Sequence, residues 1–426
     1  MNSHDNQGIT RRDFGRATAA GFAILASGVA SAAAATKTGV KKHGKTDLLK
    51  VGLLGCGNRG TGAATQMLLG NRNVRLVAMT DTFKDRLDAS RNSIKNHKDA
   101  QVKKQYAVSD KNCFIGLDAY KQILATDIDI IIHGALPYCR PMHIEAAVKA
   151  KKHIFTEKPV AVDPTGIRQF MAAAKEAQSL GLSLVAGTQR RHQKEYVETI
   201  EKLRDGAIGD ILAGRVYWCG GLPFVHERKP EWNDLETRIR NWYAYCWIAG
   251  DNIVEQHVHN LDIMNWVMGG PPKSVFASGG RTWKPKEEKY GDIYDNFSCD
   301  YEFPNGVHFS SFSRHWNGCD GGVFEEVVGT KGKSNCHDQG GSGLDPYVQE
   351  HVDLVNSIRG TGPYLNEGVQ VAESTLTAIM GRMSAYTGKK ITWEDAMKSD
   401  LSIVPQDLDW KKSYPVGPIP APGSGA

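Results

Sequence analysis

The apolar positions of the chain fall into two rhythms. Leu48 to Leu54 (LLKVGLL), Val74 to Met79 (VRLVAM), Asp127 to His133 (DIDIIIH), His153 to Thr156 and Ser183 to Gly187 are short, nearly unbroken apolar runs. Their length and β-branched content suit strands buried on both faces. Between these runs the apolar residues space helically. Ala63, Ala64, Met67 and Leu68 share a side, as do Ile144, Ala147 and Val148 within Met142 to Lys152, and Ile167, Phe170, Met171, Ala174 and Ala177 further on. Strands alternating with helices predict a parallel sheet covered on both faces.

Past about residue 210 strands dominate: Asp210 to Cys219, Lys273 to Gly279, Phe297 to Phe303, Val307 to Arg314 and Gly322 to Gly329. Pro304-Asn305-Gly306 and Thr330-Lys331-Gly332 read as tight hairpin turns, so an open antiparallel sheet is expected. Helices follow near Tyr347 to Arg359 and Glu367 to Thr387. The second is rich in small residues (Ala372, Ala378, Ala385) that favour close packing, and the tail from Ser413 is rich in Pro and Gly.

The first 35 residues stand apart. Thr10-Arg11-Arg12-Asp13-Phe14 is followed by an uncharged run from Ala17 to Ala35, diluted by Gly21, Ser27 and Gly28. A basic cluster, a moderately apolar core and the small-x-small end Ala30-Ser31-Ala32 predict an export signal, and the paired arginines with Phe14 predict the twin-arginine route. That route implies the twin-arginine machinery as a partner, cleavage in the low thirties and a periplasmic location. No Cys follows the apolar run, so no lipid anchor is expected, and no later stretch approaches the ~18 apolar residues of a membrane span.

At 426 residues the chain exceeds one comfortable core, and length favours two domains. Part of the +5 formal charge lies in the leader, which leaves charge no case for nucleic acid. The eight cysteines lack C-x-x-C spacing, so neither a zinc site nor a disulfide scaffold is expected.

Gly55-Cys56-Gly57-Asn58-Arg59-Gly60 matches G-x-G-x-x-G after an apolar strand and at the start of a helix. The first Gly permits the turn, the second lets backbone approach a pyrophosphate, and the third lets helix and strand pack. Asp81 closes the next strand at about the expected ~20 residues. Its carboxylate can accept from a ribose 2′-OH and repels a 2′-phosphate, which favours NAD over NADP. Arg59 and Lys84 leave some room for NADP.

These motifs, with ALPYCRPMHIEAAVKAKKHIFTEKP (135–159), GTQRRHQKEY (187–196) and GDNIVEQHVHNLDIMNW (250–266), resemble the glucose–fructose oxidoreductase, inositol dehydrogenase and MocA family over most of the chain. The branch looks like its twin-arginine-exported members. The resemblance implies an α/β fold: an N-terminal Rossmann doubly wound parallel sheet plus an α+β C-terminal domain with a large, open, mainly antiparallel sheet. It divides the chain into a signal (1–35), a leader (36–47), a nucleotide domain (48–180), a substrate and oligomerisation domain (181–365), a helix returning to the nucleotide domain (366–390) and a tail (391–426). It implies a homodimer or homotetramer. Lys158 becomes the residue that hydrogen-bonds the reacting hydroxyl, and His259 the general base. Glu255 matches the acid one helical turn before the base, where the family usually has Asp. Pro137, His143 and Glu157 join Gly55, Gly57, Asn58, Arg59, Gly60, Asp81 and Lys158 around the cofactor. His257 stands where Gly is usual and is placed with Arg191 at the substrate.

Residue chemistry alone leaves alternatives open. Glu255, His257 and His259 are possible metal ligands, although on one helix His257 points away from the other two. Either histidine could be structural, and Arg191 could be a surface residue. The aromatic run Trp242 to Trp247 reads as sugar-stacking, with Trp242 and Tyr245 as the contacts. The expected function is a periplasmic, NAD-dependent oxidoreductase acting on a hydroxyl of a sugar or glycoside, C3 being a candidate carbon, loaded with NAD before export and recycling it internally. A redox-neutral glycosidase or lyase working through a transient keto-sugar is the rival enzyme. A sugar-binding protein with a vestigial nucleotide domain is the rival without activity.

Overall fold

The computed structural model describes residues 39–423. The export signal predicted at residues 1–35 lies outside the described residues.

Six strands form the first sheet: β1 (Leu49–Leu54), β2 (Val74–Asp81), β3 (Cys113–Ile115), β4 (Ile130–His133), β5 (His153–Thr156) and β6 (Leu184–Ala186). They pair in parallel in the order β3-β2-β1-β4-β5-β6, the doubly wound arrangement. β4, β5 and β6 are buried at every position, as continuous apolar runs require between two helical layers. The order reverses between β1 and β4, and a crevice opens there at the carboxyl ends of the strands. β3 was not legible: Cys113-Phe114-Ile115 is too short to carry a period.

Seven strands form the second sheet: β7 (Ile211–Gly220), β8 (Ser274–Gly280), β9 (Asn296–Glu302), β10 (His308–His315), β11 (Gly322–Gly329), β12 (Gly332–Ser334) and β13 (Ile391–Thr392). Their order is β12-β11-β7-β10-β9-β8-β13. Every pair is antiparallel except β7 with β10, which run parallel at the centre, so the sheet is mixed and mainly antiparallel. β9 and β10 alternate buried and exposed positions, which marks one covered and one open face.

The helix Gly368–Thr387 fills the space behind this sheet and also lies against the helix Pro164–Leu180 of the first half. Its small residues permit the approach. A Cβ at Gly381 would stand 2.5 Å from the Tyr301 hydroxyl and 2.8 Å from Ile253, and one at Gly368 2.4 Å from Ala174. The helix Pro346–Arg359, which the sequence groups with the second half, packs instead on Asn58–Gly70, where Asn71 donates to the His351 carbonyl at 3.3 Å. No helix among the described residues is long and apolar enough to cross a membrane.

Candidate active site

The glycine loop sits at the crevice. Gly55 has φ +93°, and a Cβ there would strike Ala135 N at 2.3 Å, so only glycine serves. Gly60 faces the Gly55 carbonyl, which an added Cβ would meet at 1.9 Å. Gly57 differs: a Cβ there would meet nothing. It precedes the helix Asn58–Gly70, whose start has no side-chain cap. The first N–H groups of that helix are therefore free to bind an anion. Asp81 closes β2, accepting from Cys56 N at 2.6 Å and Phe83 N at 2.8 Å. Burial pushes its carboxyl up, and these two donors oppose the shift.

A cavity of about 430 Å³ joins these groups. Of the residues the sequence places around the cofactor, Gly55, Gly57, Asn58, Arg59, Asp81 and His143 line it. Four others fall elsewhere. Gly60 is consumed in loop packing. Pro137 is buried at the start of the short turn Pro137–Cys139, while its neighbours Leu136 and Tyr138 face the cavity. Glu157 is bonded to Arg59, and Lys158 points across the cleft. The glycine cradle, free helix N-terminus and carboxylate together fit a dinucleotide. Neither cation that favoured NADP is free, since Arg59 is paired with Glu157 and Lys84 with Asp88.

Apart from Trp242, the far wall of the cavity went unread in the sequence. Phe224, His226, Ile239, Arg240 and Trp242 close over it from the second half. Arg240 binds both oxygens of Asp85, at 2.9 and 3.0 Å, and lies 3.9 Å above the Phe83 ring. A planar guanidinium suits both contacts. The scattered aromatic and basic residues of 224–242 were the available signal, but no period connects them.

β5 delivers Glu157 and Lys158 at its carboxyl end, and the Lys158–Pro159 peptide is cis. Lys158 Nζ donates to the Glu255 carbonyl and, at 3.1 Å, to Glu255 Oε1. Side-chain exposures of 10% and 9% make this a dry pair. Burial pushes the Glu255 carboxyl up, and Lys158 and Arg140 pull it back. Glu255 is placed by the Gly250–Asp251 turn, where both residues have positive φ. Asp251, fully buried, caps Asn252 N at 2.5 Å and accepts from Tyr294 N at 2.8 Å and the Tyr386 hydroxyl at 2.6 Å.

The expected single helix through Glu255 and His259 is broken. Asn252–Glu255 and Val258–Met268 are separate helices, and His257 N reaches back five residues to the Asn252 carbonyl. The wide turn cancels the i, i+4 relation. Glu255 therefore supports Lys158 rather than orienting His259. His259 stacks on Trp218 with centroids 5.8 Å apart. Burial and the neighbouring cations Lys158, Arg190 and Arg59 hold its pKa well below the usual histidine range, so the ring is neutral.

Three placements at the substrate need correction. His257 is fully buried and bonds Ser311 Oγ on β10 at 2.7 Å. It faces the sheet, and Glu255, His257 and His259 do not converge on one point. Arg191 is paired with both carboxylate oxygens of Asp262 at 2.9 Å and lies 4.7 Å over Trp266, a structural contact. Tyr245 is buried, its hydroxyl bonded to Arg238 at 2.8 Å. The short turn Trp242–Ala244 shifts the phase of the aromatic run. Trp242, expected at the sugar, lines the cavity of the glycine loop, and Tyr243 rather than Tyr245 turns toward Glu255. The sequence also missed His133, whose Nε2 lies 3.0 Å from His143 Nδ1 with Cys139 close by.

Residues 49–184 match the model of the oxidoreductase family with a NAD-binding Rossmann fold, and residues 196–334 match the GFO/IDH/MocA C-terminal domain. Among curated relatives, the myo-inositol 2-dehydrogenase of Thermotoga maritima is 23% identical over 58% of this chain and 62% of its own length. The 2,7-anhydro-N-acetylneuraminate hydratase of Escherichia coli is 25% identical over 42% of this chain and 44% of its own. The chain thus spans about half the length of the curated relatives it matches. The scyllo-inositol dehydrogenase of Lactobacillus casei, solved with NAD(H) and scyllo-inositol, superposes with a TM-score of 0.62 at 18% identity, covering 81% of this chain and 99% of that one.

The open space at Gly57 separates folding from binding. Gly57→Ala is expected to unfold at the wild-type temperature yet carry markedly less nucleotide after gentle purification. Gly60→Ala, which strikes the Gly55 carbonyl, is expected to lose both. Full nucleotide occupancy in Gly57→Ala, read by mass after denaturation, contradicts the cradle.

Proposed function

The chain belongs to the GFO/IDH/MocA oxidoreductase family, and on that premise we propose that it oxidises a hydroxyl of a sugar or glycoside, with NAD rather than NADP as its cofactor. The observation that carries the reading is the position of Lys158, held by Glu255 in a dry cleft with neutral His259 nearby. Gly55, Gly57, Asn58 and Asp81 would hold the dinucleotide. When bound, the nicotinamide supplies the hydride acceptor. Lys158 keeps an N–H for the substrate oxygen and stabilises the negative charge that grows there. Neutral His259 has a free ring nitrogen to accept the hydroxyl proton, as a general base must. Trp242, Phe224 and Trp218 offer apolar ring faces suited to a sugar.

A redox-neutral reaction is the second reading, favoured by the relative in Escherichia coli that is by name a hydratase. Oxidation, elimination or hydration, and re-reduction would use the same Lys158 and His259. Bound nucleotide that reduces only transiently, with product formed and no net NADH, distinguishes it. Neither reading survives if a panel of sugars and glycosides changes neither the absorbance of the bound nucleotide nor the substrate. The third reading, a sugar-binding protein with a vestigial nucleotide domain, is disfavoured by the intact Lys158–Glu255 pair.

The export reading belongs with this function. A protein exported through Arg11-Arg12 takes up NAD in the cytoplasm and keeps it, so the cofactor is recycled within the site. Replacing both arginines with lysine is expected to leave the protein in the cytoplasmic fraction, and undiminished periplasmic protein refutes the route.

The open face of the second sheet carries Phe276 and Phe312, both exposed, with Tyr217 packed between Phe312 and Phe324. This apolar face fits a second copy of the chain, giving a dimer or tetramer. Phe312→Glu is expected to yield monomers by light scattering. A wild-type monomer at micromolar concentration rejects the assembly.

Lys158→Ala and His259→Ala should each lower turnover by at least ~10²-fold. Nucleotide occupancy should stay near wild type, because the glycine loop and Asp81 grip the other end of the cofactor. Wild-type turnover in His259→Ala removes it as the base.

A further inference from the structure

Two buried polar atoms in the cleft lack partners: the hydroxyl of Tyr243 and Oε2 of Glu255. They face each other. The Tyr243 ring is 2% exposed and lies among Glu255, Gln256, Asp251, His315 and Phe224. His315 is neutral there, since burial lowers its pKa to about 3. Glu255 is faced from other elements by Lys158 and Arg140. Its carbonyl and Oε1 are engaged by Lys158, and Oε2 alone is unspent. Unmet buried polar atoms are uncommon and costly. Two that oppose each other at a reacting centre are an incomplete pair.

We propose that Tyr243 is a positioning residue whose phenol donates to Oε2 of Glu255 and so keeps that carboxylate charged and aligned against Lys158. A small rotation closes the contact. A carboxylate that receives a donor stays ionised to lower pH, and an ionised Glu255 anchors the Lys158 ammonium. The phenol opposes the upward push of burial on Glu255, as Lys158 and Arg140 do. Tyr243 thus sets the acid limit below which Lys158 loses its anchor. The effect on turnover rests on the oxidoreductase reading, but the effect on Glu255 does not.

The test uses the full chain with its bound nucleotide. Tyr243→Phe removes only the phenol oxygen and keeps the ring, so the variant should fold, with a melting temperature lowered by no more than a few degrees. The protonated-carboxyl infrared band that Glu255→Gln abolishes is then titrated in wild type and Tyr243→Phe. The midpoint should rise by about one pH unit in the variant, and the acid limb of kcat should rise with it. An unchanged midpoint overturns the proposal. So does a variant that raises KM with the pH profile unmoved, which would make Tyr243 a substrate contact. A raised midpoint in a protein that turns over no sugar sustains Tyr243 and rejects the oxidoreductase reading.

Discussion

A buried ammonium is tolerable only beside a buried carboxylate, and here the two come from opposite halves of the molecule. Lys158 ends a strand of the first sheet, while Glu255 ends a short helix packed on the second. Either charge alone in this cleft would be strongly unfavourable, so both halves must meet in a fixed register. Much of the architecture serves that register. Asp251 pins the start of the Glu255 helix with three hydrogen bonds, Arg382 holds the Gly250 carbonyl at 2.9 Å, and the helix Gly368–Thr387 packs on both halves.

A second set of charges links the nucleotide loop to the same site. Arg59 leaves the loop to pair with Glu157, next to Lys158, and lies 3.5 Å from the buried Glu350. Its charge is thus spent on Glu157, while burial, with Glu157 close by, pushes the Glu350 carboxyl well above the usual carboxylate range. A diphosphate over the loop meets main-chain N–H groups rather than a free guanidinium, and Arg59 acts as a tie between loop and reacting centre.

Regular features of the chain were legible because they repeat. The apolar runs located β1, β2, β4, β5 and β6, and the five longer strands of the second sheet, since burial on one or two faces writes a period into the sequence. The glycine loop was legible because backbone geometry demands glycine at Gly55 and Gly60, and Asp81 because it closes the next strand at a fixed distance along the chain. The substrate side was harder. A helical period was assumed across residues 255–259, and one wide turn, fixed by His257 bonding to Ser311, broke it. The aromatic run carried no phase, so Tyr245 was chosen where Tyr243 turns inward. Arg191 and Asp262 are 71 positions apart, and nothing local announces their pairing.

The contact of Arg240 with Asp85 and Phe83 lies over the cavity as a latch. The guanidinium in that wall of the cavity is held by two carboxylate bonds and an aromatic face at once. The far wall of the cavity is thus fixed by contacts separate from the glycine loop, so the two sides of the cavity can be altered independently.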